Sequence, residues 1–164
     1  MITIVSGLPR SGTSMMMEML QAGGMELLAD DHRPPDARNP RGYFESRVVK
    51  RLRHEPEGIA AAEGRAVKVL CYDLRLLPPT YTYRVLFMLR DPEAVAASLA
   101  ALRGGAVERL TAPPAPDGAL VVPYDDMLAD PLKQARRVAR FLGLPLDIPA
   151  MAATVDPSLC HVGA

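Results

Sequence analysis

The chain has 164 residues, 49% of them hydrophobic and 23% charged, with 19 Lys+Arg balancing 19 Asp+Glu. That length fits one domain over residues 1–164 and excludes a second sizeable one, while the composition excludes a disordered tail and a coiled coil. The charge balance excludes the broad positive field of a non-specific nucleic-acid binder, so any anion recognition must come from a local constellation.

No stretch approaches the roughly 18 apolar residues of a membrane span, and the run Met1 to Val5 is too short for a signal-peptide core. A soluble, cytoplasmic protein with neither membrane nor nucleic-acid partners is the expectation; nothing in the pattern speaks to oligomeric state. Cys71 and Cys160 lie far apart without a ligand-spaced partner and read as structural thiols, not as a disulfide or zinc site.

In chain order, the β-branched run Ile2-Thr3-Ile4-Val5 ends at Gly7, and Thr13 to Ala22 carries apolar residues through more than two helical turns. This reads as strand, glycine loop, helix, with Met15, Met16, Met17 and Met19 filling core. Met25 to Ala29 is expected as a short strand, Asp30 to Arg41 as loop and Ser46 to Leu52 as a brief helix. Ala66 to Cys71 and Tyr83 to Leu89 are compact apolar runs suited to a parallel sheet covered on both faces. A helix follows from Pro92, with Val95, Leu99 and Leu102 at i, i+4 and i+7.

Gly104 to Gly118 reads as a structureless connection before the strand Ala119 to Val122. The last clear helix has Asp130 as N-cap, Pro131 at its first position, an apolar face of Leu132, Ala135, Val138, Ala139 and Leu142, and Gly143 as its stop. Alternating strands and helices predict an α/β domain with a mostly parallel sheet.

The chemistry concentrates in Gly7-Leu8-Pro9-Arg10-Ser11-Gly12-Thr13-Ser14. Between a strand and a helix, such a loop converges backbone N–H groups on an anion at the positive end of the helix dipole. The spacing approaches the nucleotide-hydrolase signature, but Thr13 stands where that signature has Lys, and the basic residue is Arg10, three places earlier. Arg10 would meet an anion's oxygen as a planar donor from within the loop.

With its Pro-Arg-Ser-Gly-Thr-Ser loop, the sequence resembles the bacterial members of the sulfotransferases that use 3′-phosphoadenosine 5′-phosphosulfate. The resemblance implies a P-loop, kinase-like parallel sheet flanked by helices on both faces. It also implies a 5′-phosphosulfate site made by Arg10, Ser11, Gly12, Thr13 and Ser14. Arg90, closing a strand, and Ser98, eight residues later on a helix, match the arginine and serine with which the family grips the donor's 3′-phosphate. Tyr124 to Pro131, Phe141 to Pro145 and Asn39 to Glu45 extend the likeness, which runs from Met1 to about Pro157.

Sulfuryl transfer needs an in-line acceptor oxygen or nitrogen, a base, and cationic donors at the leaving oxygen. Arg10 suits the last of these roles, and the scheme calls for no metal. Some relatives carry a catalytic His two residues after a strand lysine; here Lys68 fits the lysine and Leu70 takes the histidine position. Glu45 is the first candidate base, with Asp31, His32 and Asp73 as alternatives. Glu45 could instead pair with Arg41 or Arg47, and Lys68 reads as a strand-end charge, with a reach to the leaving oxygen as the alternative. The acceptor is expected to be a small molecule. Two rival readings stand: a nucleotide kinase or hydrolase using Asp91 to organise magnesium, and a binding module that keeps the donor site without catalysis.

Overall fold

Four parallel strands form one sheet, with helices packed against it. The computed structural model describes residues 1–30, 42–105 and 107–159. In chain order the elements are β1 (Ile2–Gly7), α1 (Thr13–Ala22), α2 (Arg47–Arg51), β2 (Ala66–Lys68), β3 (Tyr83–Leu89), α3 (Pro92–Arg103), β4 (Leu120–Pro123), α4 (Tyr124–Ala129), α5 (Pro131–Leu142) and α6 (Ile148–Ala153). Short 3-10 turns occupy Pro56–Ala62, Leu74–Leu76 and Pro157–Leu159.

The sheet order is β2-β1-β3-β4, with Val5 paired to Lys68 on one side and to Leu86 on the other, and Leu89 to Pro123. Strand alternation sorts the core. Val5, Leu86, Met88 and Val122 pack with Met16, Met17, Met19 and Leu20 of α1 and with buried residues of α4, α5 and α6. Ile2, Ile4 and Val67 turn to the opposite face, against Leu52 and Ile59, and Phe87 meets Val95 and Leu99 of α3 there. Helices therefore cover both faces, as the compact apolar strands required. Each fully buried side chain of this kind contributes about 1.5–3 kcal/mol. Among the described residues, no helix is long and apolar enough to cross a membrane.

The strand expected over Met25 to Ala29 is a single bridge, Leu27 to Ala66. The Ala66 amide donates to the Glu26 carbonyl and the Leu28 amide to that of Ala66, but the Asp30 amide then donates to the Glu45 carbonyl at 2.9 Å and turns the chain away from the sheet. Regular pairing of β2 stops at Lys68, although Val69 and Cys71 still donate to Val5 and Gly7 of β1. In α5 the Asp130 carboxylate accepts from the Lys133 amide at 2.9 Å and Gly143 terminates at φ 69, as expected, whereas Leu132 is 37% exposed and lies off the apolar face. Cys71 is buried behind the glycine loop, where burial pushes its thiol pKa up; a thiol held protonated is unreactive and fits a structural role. Cys160 lies outside the described residues.

Candidate functional site

From β1 the chain first travels to β2 on one side and then crosses to β3 on the other. The connections leaving β1 and β3 diverge at their C-terminal ends, the switch point at which open parallel sheets leave a crevice. The glycine loop follows β1, and Arg90 follows β3.

The loop is held by contacts that exclude side chains at its glycines. At Gly7 (φ 143) a Cβ would lie 2.5 Å from both the Met88 carbonyl oxygen and Ser11 Oγ; at Gly12 (φ 95) it would lie 2.7 Å from Tyr124 Cδ2. Ser11 is 1% exposed. Its amide and its hydroxyl both donate to the Leu8 carbonyl, at 3.2 and 2.7 Å, so its side chain closes the loop on itself. Gly12, Thr13 and Ser14 line the cleft, and Gly12, the N-cap of α1, brings no side chain to cap the first-turn amides. Those amides are the positive end of the helix.

Arg10 occupies left-handed backbone at φ 68, which a non-glycine residue keeps only when its surroundings hold it there. Two contacts do so: its carbonyl accepts from Arg90 Nη1 at 2.8 Å, and its Nε donates to Ser98 Oγ at 3.0 Å. Arg10, expected at one end of a ligand, is thus tied to Arg90 and Ser98, expected at the other, in one hydrogen-bonded unit. The Arg90 guanidinium also lies 4.1 Å from the centroid of the buried Tyr124 ring, which packs against the bare Cα of Gly12 as well. In the sequence Tyr124 only opens a stretch that extends the family likeness; its role as the surface between Gly12 and Arg90 is not legible without the fold.

A second segment, Gly42 to Ser46, lies against the loop. Gly42 (φ 96) and Phe44 (φ 51) both adopt left-handed backbone, and the Tyr43 carbonyl between them accepts from Lys68 Nζ and, at 3.4 Å, from Ser14 Oγ. Lys68 is therefore not a strand-end surface charge. It is 8% exposed, because β2 ends beneath this segment. Glu45 follows, partly buried, with its carboxylate 3.4 Å from Lys50 Nζ. Arg47, one of its expected partners, instead pairs with Asp30, whose carboxylate also accepts the Arg47 amide at 2.6 Å. The other, Arg41, lies outside the described residues, as do Asp31 and His32.

These parts enclose a cleft of about 560 Å³, within the range of small-molecule sites. Arg10, Arg90, Lys50 and Lys68 line it, with the carboxylates of Glu45 and Asp73 and the side chain of Leu70. Ser98 and Ser11 lie behind its wall. Asp91 serves elsewhere, since its carboxylate accepts the Glu93 amide at 3.2 Å as the N-cap of α3, and the residue is exposed.

No family model and no curated protein matches the chain. Among solved structures, the chain is similar to the sulfotransferase domain of the Synechococcus PCC 7002 olefin synthase, at 16% identity over 98% of this chain and 78% of that one, with a TM-score of 0.53. A sulfotransferase domain from the curacin biosynthetic pathway matches at 15% identity over 99% of this chain and 78% of that one, TM-score 0.48. An unliganded sugar kinase from Janibacter sp. HTCC2649 matches at 16% identity over 87% of this chain and 95% of that one, TM-score 0.47. With a parallel sheet flanked by helices and the first of these likenesses over nearly its whole length, the chain has a sulfotransferase-like α/β fold.

Proposed function

We propose that the chain binds 3′-phosphoadenosine 5′-phosphosulfate in this cleft and transfers its sulfuryl group to a hydroxyl or amine of a small-molecule acceptor. The observation that carries the reading is the hydrogen-bonded unit of Arg10, Arg90 and Ser98 at the mouth of β1 and β3, beside the uncapped first turn of α1. A donor with anionic groups at two ends needs two cationic holds at a set separation, one of them on a strand–loop–helix cradle. The glycine loop excludes a Cβ at Gly12 and leaves backbone amides as the donors there, which suits that chemistry.

The bound donor supplies the activated sulfuryl group. The Thr13 and Ser14 amides and the Arg10 guanidinium hold its 5′ end and neutralise charge that builds on the leaving oxygen. Arg90, its guanidinium face resting on Tyr124, holds the 3′-phosphate, and Ser98, which accepts from Arg10 Nε, links that hold to the 5′ one. Glu45, on the Gly42–Ser46 segment, takes the acceptor's proton, with Asp73 the alternative base among the acidic residues that line the cleft. The residues named supply cationic and amide donors for every step, so this scheme uses no metal. The kinase or hydrolase reading has less support, since Asp91 is committed to capping α3.

The test is calorimetric titration with 3′-phosphoadenosine 5′-phosphate, with and without magnesium, beside ATP, on the wild type and Arg90→Ala. Magnesium-independent binding that Arg90→Ala weakens by about 1.5–3 kcal/mol, the range for a charged hydrogen bond, supports the donor site. A preference for magnesium-ATP that Arg90→Ala leaves unchanged overturns it. Donor binding without transfer to any of a broad panel of alcohols and amines, and without effect of Glu45→Ala, leaves a binding module.

A further inference from the structure

We propose that Lys68 is a positioning residue: its ammonium holds the Gly42–Ser46 segment, and with it Glu45, against the glycine loop. The placement of Glu45 for proton transfer rests on the donor-binding reading above; the hold on the segment does not.

A lysine head taken out of water is kept only where its donors find acceptors. Lys68 is 8% exposed, and Nζ donates to the main-chain carbonyl of Tyr43, 25 residues earlier in the chain. Strand alternation aims it there. Val67 turns to the Ile2 and Ile4 face, so Lys68 shares the face of Ala66, on which α1 packs. Ser14, in the first turn of α1, donates to the same carbonyl. Two donors from two elements thus converge on one oxygen.

The segment itself needs such a hold. Phe44 at φ 51 is in a backbone region that costs a bulky side chain free energy unless other contacts maintain it. Glu45 is two residues from the clamped carbonyl, so its carboxylate follows the position of Tyr43. The Asp30 amide on the Glu45 carbonyl and Lys50 on the Glu45 carboxylate act at the far end of the segment, beyond Phe44. Releasing Lys68 should therefore loosen Tyr43 to Ser46 while the sheet stays intact.

Hydrogen exchange on the full ligand-free chain tests this. In Lys68→Met the amides of residues 43–46 are expected to exchange about tenfold faster, with β1 and β3 unchanged, and Lys68→Arg, which keeps a cationic donor, should bring the rate to within about threefold of wild type. Unchanged exchange at 43–46 in Lys68→Met overturns the proposal. Should Lys68→Met lose the sheet as well, Ser14→Ala decides, because it leaves β2 untouched and removes one of the two donors. About threefold acceleration confined to 43–46 supports the clamp, and none overturns it.

Calorimetry with 3′-phosphoadenosine 5′-phosphate on the same variants separates this from the donor reading. If the wild type does not bind, the donor reading fails and the exchange data still decide the role of Lys68. If it binds, Lys68→Met should keep Kd within about threefold while kcat falls by about tenfold or more, with partial recovery in Lys68→Arg. A tenfold loss of affinity with unchanged exchange would instead make Lys68 a contact of the donor and overturn the positioning role.

Discussion

Arg10 and Ser98, 88 residues apart in the chain, meet through a 3.0 Å hydrogen bond from the guanidinium Nε to the serine oxygen. The bond ties the loop after β1 to the helix after β3, so the two halves of the crevice share one side chain. It also gives the buried serine a purpose that needs no exposure: Ser98 is 1% exposed and can act on a ligand by fixing the plane of Arg10.

Removing that oxygen should therefore cost ligand affinity through Arg10. Ser98→Ala is expected to weaken 3′-phosphoadenosine 5′-phosphate binding by about tenfold, roughly 1.4 kcal/mol, in keeping with a charged hydrogen bond. Arg10→Ala should cost more. The double variant should lose less than the sum, with a coupling energy of about 0.5–3 kcal/mol for two residues in contact. Calorimetry on the four proteins measures it, and strict additivity would show that the two residues act separately.

Arg90 should not tolerate Lys. Its guanidinium donates to the Arg10 carbonyl at 2.8 Å while its face lies on Tyr124, and an ammonium cannot satisfy both geometries. The stack contributes about 0.5–2 kcal/mol. Arg90→Lys is expected to bind nearly as weakly as Arg90→Ala, and Tyr124→Leu to weaken binding while leaving Arg90 in place. Recovery of wild-type affinity in Arg90→Lys would mean that charge alone matters at this position.

Much of this arrangement is legible in the chain. Period locates α1, and period with nearby signals locates α3 and α5, through Pro92 in α3 and Asp130, Pro131 and Gly143 in α5; the Asp91 cap and the Gly104 end of α3 emerge only in the fold. That Arg90 and the glycine loop serve one ligand is what the family resemblance implies, whereas the bond from Arg90 to the Arg10 carbonyl is not legible in the sequence. The clamp on Tyr43 is not, since a main-chain carbonyl leaves no mark in a sequence and the burial of Lys68 depends on a segment that returns from far along the chain. Helix α6 is hidden for a local reason. Its six residues, Ile148–Ala153, carry too few turns to show a period, and its start is marked by Pro149 in the first turn and by Asp147, which accepts from the Ala150 amide at 2.9 Å.

Gly12 separates two penalties that are usually confounded. A methyl group there meets Tyr124 Cδ2 at 2.7 Å, and the backbone sits at φ 95. Gly12→Ala is expected to destabilise the fold by about 2–4 kcal/mol, combining overpacking with left-handed strain. Adding Tyr124→Leu removes the ring and should relieve the steric share only, leaving about 1–2 kcal/mol from the backbone. Denaturant melts of the single and double variants measure both shares. A double variant no more stable than the sum of the singles would place the whole cost in the backbone.

The alkaline limb of stability should report on the burial of Cys71 and Tyr83. Burial raises the Cys71 thiol above its ordinary 9.0, and burial likewise raises the Tyr83 hydroxyl above 10.0. In the unfolded chain both groups release their protons first, so between the unfolded and folded pKa values the native state holds more protons. Stability is then fully present below about pH 9 and falls as pH rises through this window, beginning with Cys71 and continuing with Tyr83. Cys71→Ala removes the first of these contributions. Its melting temperature is expected to lie below wild type at about pH 8 because a buried side chain is trimmed, and to decline less steeply between about pH 9 and 10. Parallel declines for the two proteins over that interval would show that the Cys71 thiol titrates alike in the folded and unfolded chain, so that burial does not keep it protonated.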